Sequence, residues 1–174
     1  MVQAEDSGLP EQADPEFHLF MDYWKSLTAG GTIIPSRRAF DLLAVPSLTA
    51  RYAIIEWFDD GKSRKLRYRY FGSTHQVYIG RDLTGRLIDD VWDALTTEIA
   101  YDLYGGLSKT GKPHFWKRAV EFAGSTSMGF NRLICPLEET DGQPRMFIGL
   151  WKFLDVSPEN IDSEPHVLSV RNPE

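Results

Sequence analysis

The segment Gly106-Leu-Ser-Lys-Thr-Gly111-Lys112 has the Gly-x4-Gly-Lys spacing of a loop that cradles phosphates. That chemistry needs a Ser or Thr after the lysine to hold magnesium, and a helix N-terminus facing the anion. Pro113 stands where the hydroxyl is required, and the apolar spacing puts a helix before the segment, not after it. It therefore reads as a turn from helix into strand. Metal chemistry has as little support: His18, His75, His114 and His166 are scattered, with no i, i+4 pair and no nearby thiols. A haem would take an axial ligand from the helix lining its pocket, and that helix offers Tyr101 and Tyr104, a minority form of ligation. Cys135 is the single cysteine, which excludes an intrachain disulfide and a four-thiolate zinc site. It lies in the apolar run Leu133-Ile-Cys-Pro-Leu137, where a buried, inert thiol is the usual case. No Gly-x-Ser-x-Gly elbow occurs. Glu56 and Glu121 sit inside strand-like segments; either could be a pocket base, and pairing with Arg67 or Arg118 explains them more simply. No catalytic set emerges, and no cofactor or metal is named by these residues.

Lys62, Arg64, Lys65, Arg67 and Arg69 form a basic cluster interleaved with Tyr68 and Tyr70. Such a cluster can bind an anionic ligand or nucleic acid. It also serves as a charged sheet edge that discourages aggregation, the reading preferred here.

These residues are carried by a clear series of elements. Phe17, Phe20, Trp24 and Leu27 recur at helical spacing, with Asp14 as N-cap, Pro15 at the first helical position and Gly30-Gly31 as the stop. A shorter helical segment is expected near Ser36 to Leu43. Tyr52 to Phe58 and Lys65 to Phe71 read as strands joined at Asp59-Asp60-Gly61-Lys62, a strong hairpin signal. Thr74 to Gly85 reads as short helical turns and loop. Ile88, Val91, Trp92, Leu95, Ile99 and Leu103 predict one helix that stops at Gly105-Gly106. His114 to Phe122, Phe130 to Leu137 and Arg145 to Leu154 predict three closing strands. The last is apolar at nearly every position, hence covered on both faces and central.

That order predicts an α+β domain with a five-stranded antiparallel sheet, helices mainly on one face and an N-terminal helix on the other. At 174 residues the chain suits a single domain. The net charge of −6 is uneven: residues 1–16 hold five acids and no base, and residues 155–174 hold five acids against Arg171. The intervening body is slightly basic, so overall acidity says little about its partner. The expected boundaries are a disordered acidic tail over 1–14, one domain over 15–156 and an acidic tail over 157–174. No apolar run is long enough to span a membrane and no leader pattern opens the chain, so a cytoplasmic protein is expected.

The string Gly80-Arg-Asp-Leu-Thr-Gly85-Arg86, with Pro35-Ser-Arg37 upstream and Cys135-Pro-Leu137 downstream, resembles the stand-alone PAS-type domain family of alphaproteobacteria. The resemblance covers roughly residues 24 to 154, and the first string is its most specific part. The chain departs at Gly72-Ser73, Asp41-Leu42 and Cys135, where the family usually has Gly-Thr, Asp-Pro and Leu. The resemblance implies a PAS-like fold and a non-enzymatic sensory or regulatory module that binds a small ligand, a signalling protein or both, as a homodimer. The Asn-Cys-Arg-Phe motif of flavin-adduct PAS domains is absent from the sequence. Two other functions remain open: a small cone-fold isomerase or hydratase using Glu56, Glu121 and Tyr101, and a nucleic-acid or anion binder using the basic hairpin.

The expected ligand site lies between the sheet and the middle helix, with Trp92, Tyr101, Tyr104, Trp116 and Trp151 as its residues. The stripe Phe17, Phe20, Trp24 and Leu27 has two ways to be buried: on its own sheet or on a second chain. A dimer interface is the expected one, because so aromatic a patch usually marks an interface.

Overall fold

Asp14 and Pro15 start the first helix as their types require. Asp14 Oδ1 accepts the Glu16 N–H at 3.1 Å, and Pro15, with no N–H to satisfy, occupies the first turn of α1 (Pro15–Ser26). In the computed structural model, which describes residues 9–28, 34–122, 127–139, 144–154 and 166–168, two 3-10 turns follow, Arg37–Ala39 and Pro46–Arg51. Then come β1 (Tyr52–Asp59), β2 (Arg64–Phe71), α2 (Ser73–Ile79), α3 (Ile88–Val91) and α4 (Ala94–Thr110). The remainder is β3 (His114–Phe122), β4 (Ser127–Glu138), β5 (Pro144–Leu154) and β6 (His166–Leu168). Gly30-Gly31, the expected stop of α1, lies outside the described residues; the helix ends at Ser26.

The strands lie in the order β2-β1-β5-β4-β3-β6. The first five are antiparallel, and β5 is central between β1 and β4 as its unbroken apolar run requires. The short β6 adds a parallel strand beside β3, from a segment whose composition reads as tail. Each face of the sheet carries its own core. Tyr52, Ile54, Leu133, Cys135, Leu137, Ile148 and Leu150 pack under α1, while Ala53, Ile55, Ile134 and Phe147 pack under α3 and α4. This is the PAS-like α+β fold: helices α2 to α4 on one face, α1 on the other.

The α1 stripe corrects an expectation. Phe17 and Phe20 are 0% exposed and Trp24 is 5% exposed, all against the chain's own sheet. Trp24 Nε1 donates to the Pro136 carbonyl at 2.9 Å, and Phe17 meets Phe115 edge-on. Leu27 packs against the same cluster. The four side chains therefore form a core layer, and no free patch is left to drive association through them. Of the two ways to bury the stripe, the chain takes the intramolecular one because the α1 face of β4 and β5 needs a cover of its own.

Four features also differ from the sequence reading. The single middle helix is two: α3 ends at Val91, and Asp93 caps α4 by accepting the Thr96 N–H at 2.7 Å. Leu95, on the expected apolar face, is consequently 58% exposed. Gly105-Gly106 does not stop α4, because helical glycine costs only about 1 kcal/mol and buried Tyr104 and Leu107 flank the pair. The stop is Gly111, in the left-handed region at φ 63°. In β2, the pairing slips between Ile54 and Ile55, so Tyr70 turns to the α1 core while Leu66, Tyr68 and Phe71 face α3. Finally, the expected helix near Ser36 to Leu43 is only the Arg37–Ala39 turn.

The string Gly80 to Arg86 is architectural. Gly80 and Gly85 hold left-handed turns, Asp82 Oδ1 accepts the Thr84 N–H, and Thr84 Oγ1 accepts the Phe71 N–H. Gly85 donates to the Tyr68 carbonyl at 2.7 Å and the Arg86 carbonyl accepts from Tyr68 at 2.9 Å, so the string covers part of the free edge of β2. Just before it, Gly72 marks a close approach. A Cβ there would lie 2.3 Å from the Ala50 carbonyl oxygen and 2.8 Å from that of Tyr52. Backbone cannot yield as a side chain would, so Gly72→Ala is expected to lose about 3 kcal/mol in urea unfolding. An unchanged midpoint would show that the strand end relaxes freely.

Candidate functional site

Three adjacent strands build one row of side chains on the α4 face. Trp116 of β3 faces Arg132 of β4, which faces Trp151 of β5. Above them, α4 places Thr96, Ile99, Ala100, Leu103 and Tyr104 on one side at helical spacing. Tyr68 from β2 and Trp92, after α3, close the inner end. The space between is a cavity of about 70 Å³. Its floor is buried, and its mouth runs between the half-buried Ile99, Leu103 and Trp116. There it meets a wider groove of about 560 Å³ along α4, which includes Tyr101, Asp102 and His114.

The centre of the cavity is Arg132, 8% exposed. Its guanidinium lies 5.2 Å from the Trp116 ring centre and 5.0 Å from that of Trp151, a cation between two indole faces. Phe130, stacked on Trp151 at 4.8 Å, is a third ring at 5.9 Å. The Nε and Nη2 atoms are buried and have no hydrogen-bond partner. Burial lowers the Arg132 pKa from its ordinary value, yet a guanidinium stays charged at any physiological pH. The phenols beside it are held protonated, Tyr68 and Tyr104 both being pushed up by burial. Tyr68 Oη accepts from Trp92 Nε1 at 2.9 Å, which leaves its own proton free to donate.

Four of the five residues nominated from sequence border this cavity: Trp92, Tyr104, Trp116 and Trp151. Tyr101 does not. Its hydroxyl accepts the Leu66 N–H at 3.2 Å and donates to Asp89 at 2.7 Å, beside Lys65, so it ties α4 to β2. The reason is the break at Trp92, which sets α4 at its own rotation. Arg132 and Tyr68 were missed. Strand alternation points to the arginine: Phe130, Arg132 and Ile134 share one face, and a charge between two inward apolar residues needs explaining.

The other candidates lie elsewhere. Cys135 is on the α1 face, and burial raises its thiol well above the ordinary value, so no thiol reaches the cavity for flavin-adduct chemistry. Glu56 is ion-paired with Arg67 and faces away from α4; the Glu121 side chain lies outside the described residues. On the basic hairpin, Arg67 is paired with Glu56 and Lys65 with Asp89, while Arg64 lies 4.7 Å from the Trp57 ring centre. These partners, on an edge strand, fit the protective reading of the cluster. Among the described residues no group of His, Cys, Asp and Glu could hold a metal ion, and no helix is long and apolar enough to cross a membrane.

No family model matches the sequence, and no curated protein matches it. Solved structures do show a likeness. One is a light-oxygen-voltage domain studied with a flavin analogue, at 12% identity and TM-score 0.45, covering 67% of this chain and 84% of that one. A second is the dark structure of the blue-light photoreceptor Aureochrome1 LOV, at 13% identity and TM-score 0.44, covering 69% and 86%. A third is a variant of RsLOV, also at 13% and 0.44, covering 71% and 72%. At such distance the likeness concerns the fold alone. The strand order and the two covered faces, described above, are what carry the PAS-like assignment.

Proposed function

We propose that the chain is a non-enzymatic sensory or regulatory module, a member of the stand-alone PAS-type family it resembles, acting in the cytoplasm. The observation that carries this reading is the cavity between α4 and β3 to β5, open at one end and floored by Arg132. Occupancy there would set the position of α4 against the sheet, and a signalling protein or second copy would read that position. The isomerase reading needs an acid and a base in the cavity, and its described lining holds neither a carboxylate nor an imidazole. A homodimer remains part of this proposal, through a surface other than the α1 stripe.

The test is hydrogen exchange on the full chain, with native mass spectrometry for retained ligand and mass. The expected result is a small molecule, carried through purification or found in a metabolite panel, that slows exchange in α4 and in β3 to β5. If no molecule of any charge does so, the sensory reading fails.

A further inference from the structure

We infer that the cavity takes a small organic monocarboxylate with an apolar or aromatic body, its carboxylate held by Arg132, Tyr68 and Tyr104. This rests on the ligand-cavity reading above and gives it a chemistry.

Arg132 is a charge that the fold buries and does not neutralise. None of the described ion pairs includes it, and no carboxylate borders the cavity among the described residues. A buried charge without a counter-charge is strongly unfavourable, and contact with indole faces recovers only part of the loss. Water could satisfy the two free N–H groups but would leave the charge unbalanced. An anion does both.

The geometry narrows the anion. The unpartnered atoms, Nε and Nη2, are one edge of the guanidinium, the edge that pairs with the two oxygens of a planar carboxylate. Tyr68 has its hydroxyl proton to give, and the Tyr104 hydroxyl has no hydrogen-bond partner among the described residues, so two donors line the same cavity. There is one cation in the lining and no second, which disfavours dicarboxylates and phosphate dianions. The rest of the lining is hydrocarbon, from Ile55, Ile88, Ile99, Ala100 and Leu103. The volume of about 70 Å³ holds roughly five to seven waters, hence a short chain or one ring, not a fused tricyclic cofactor.

The experiment titrates the purified full chain with benzoate and hexanoate, their neutral isosteres benzamide and hexanamide, and inorganic phosphate. Calorimetry and tryptophan fluorescence are the readouts, since Trp92, Trp116 and Trp151 surround the site. Each acid that binds should do so about tenfold or more tighter than its amide, and tighter than phosphate. Arg132→Leu should abolish that preference, so that each acid binds no tighter than its amide. Replacing a buried unpaired charge by a similar-sized apolar group is compatible with folding, and the acid-to-amide contrast in the unaltered chain decides the matter without the variant. If amides bind as well as acids, the anion inference is overturned while the cavity reading stands. If phosphate binds as tightly as the acids, the carboxylate assignment is overturned. If neither acids nor amides perturb the tryptophans, the inference falls, and the metabolite panel decides the broader reading by itself.

Discussion

Deleting residues 1–28 will leave a chain that no longer unfolds cooperatively. Phe17, Phe20, Met21 and Trp24 are all buried on the sheet. At roughly 1.5–3 kcal/mol for each large side chain, α1 contributes about 6–12 kcal/mol of burial. A domain's whole stability is about 5–15 kcal/mol, so the loss is of the same size as the total. The start of the helix is also tied down by charge. Glu16 pairs with Arg51 at 2.5 Å, in the turn that leads to β1, and Asp14 pairs with Lys152 of β5. Removal would open a face lined by Leu133, Leu137, Ile148 and Leu150 to water, and such a patch aggregates. A milder version, Phe20→Ala, should cost about 3–5 kcal/mol in urea unfolding. The measurement is circular dichroism against urea for both proteins. A truncated chain that kept the full-length midpoint would show that α1 is an appendage. A helix held only by a second copy would behave in that way, changing the mass on truncation and leaving the fold intact.

Much of this fold is written in periodicity. The hairpin that joins β1 to β2, the unbroken apolar run of β5 and the capping pair at Asp14 and Pro15 each survive comparison with the structure, because each depends on neighbours in sequence. What sequence did not reveal depends on tertiary competition. The bulge opposite Ile54 flips Tyr70, since the strand end must bend towards Gly72 and its close approach to Ala50. Asp93 ends one helix and begins another within a run that keeps helical spacing throughout. The site was half legible for the same reason. Trp92, Tyr104, Trp116 and Trp151 announce themselves by size, whereas Arg132 looks like a surface residue until its strand register places it between two indoles. The α1 stripe shows the limit of patch arguments: apolar residues at helical spacing demand a cover but do not say whose.

Acid should begin to destabilise this domain well above the pH at which its carboxylates titrate. His75 is 1% exposed, its Nε2–H donating to the Arg51 carbonyl at 2.8 Å, and its ring is enclosed by Phe71, Trp151 and Phe153. Burial pulls its pKa down from 6.5 to about 4. His114, edge-on to Trp116 with a buried unpartnered Nδ1, is also drawn down to about 4, by burial first and by the Arg132 charge second. In both cases the folded value lies below the unfolded one, so the unfolded chain binds protons first. The stabilisation is complete above pH 6.5 and is lost progressively as pH falls towards 4. At pH 5 the linkage amounts to about 2 kcal/mol for His75 and somewhat less for the less enclosed His114. Asp14, Glu16 and Asp89 act in a lower window. Their values are lowered from 3.8 or 4.5, with Lys152, Arg51 and Lys65 respectively as hydrogen-bond partners, so their contribution persists above about pH 4.5 and disappears below it. Urea midpoints at pH 7 and pH 5 separate the two windows. His75→Gln keeps an N–H for the Arg51 carbonyl and removes the titration, so it should cut the loss between pH 7 and pH 5 by about half. A variant with the same slope as the parent would mean that His75 is protonated in the folded state at little cost, and that its pocket is more open to water than the surrounding rings imply.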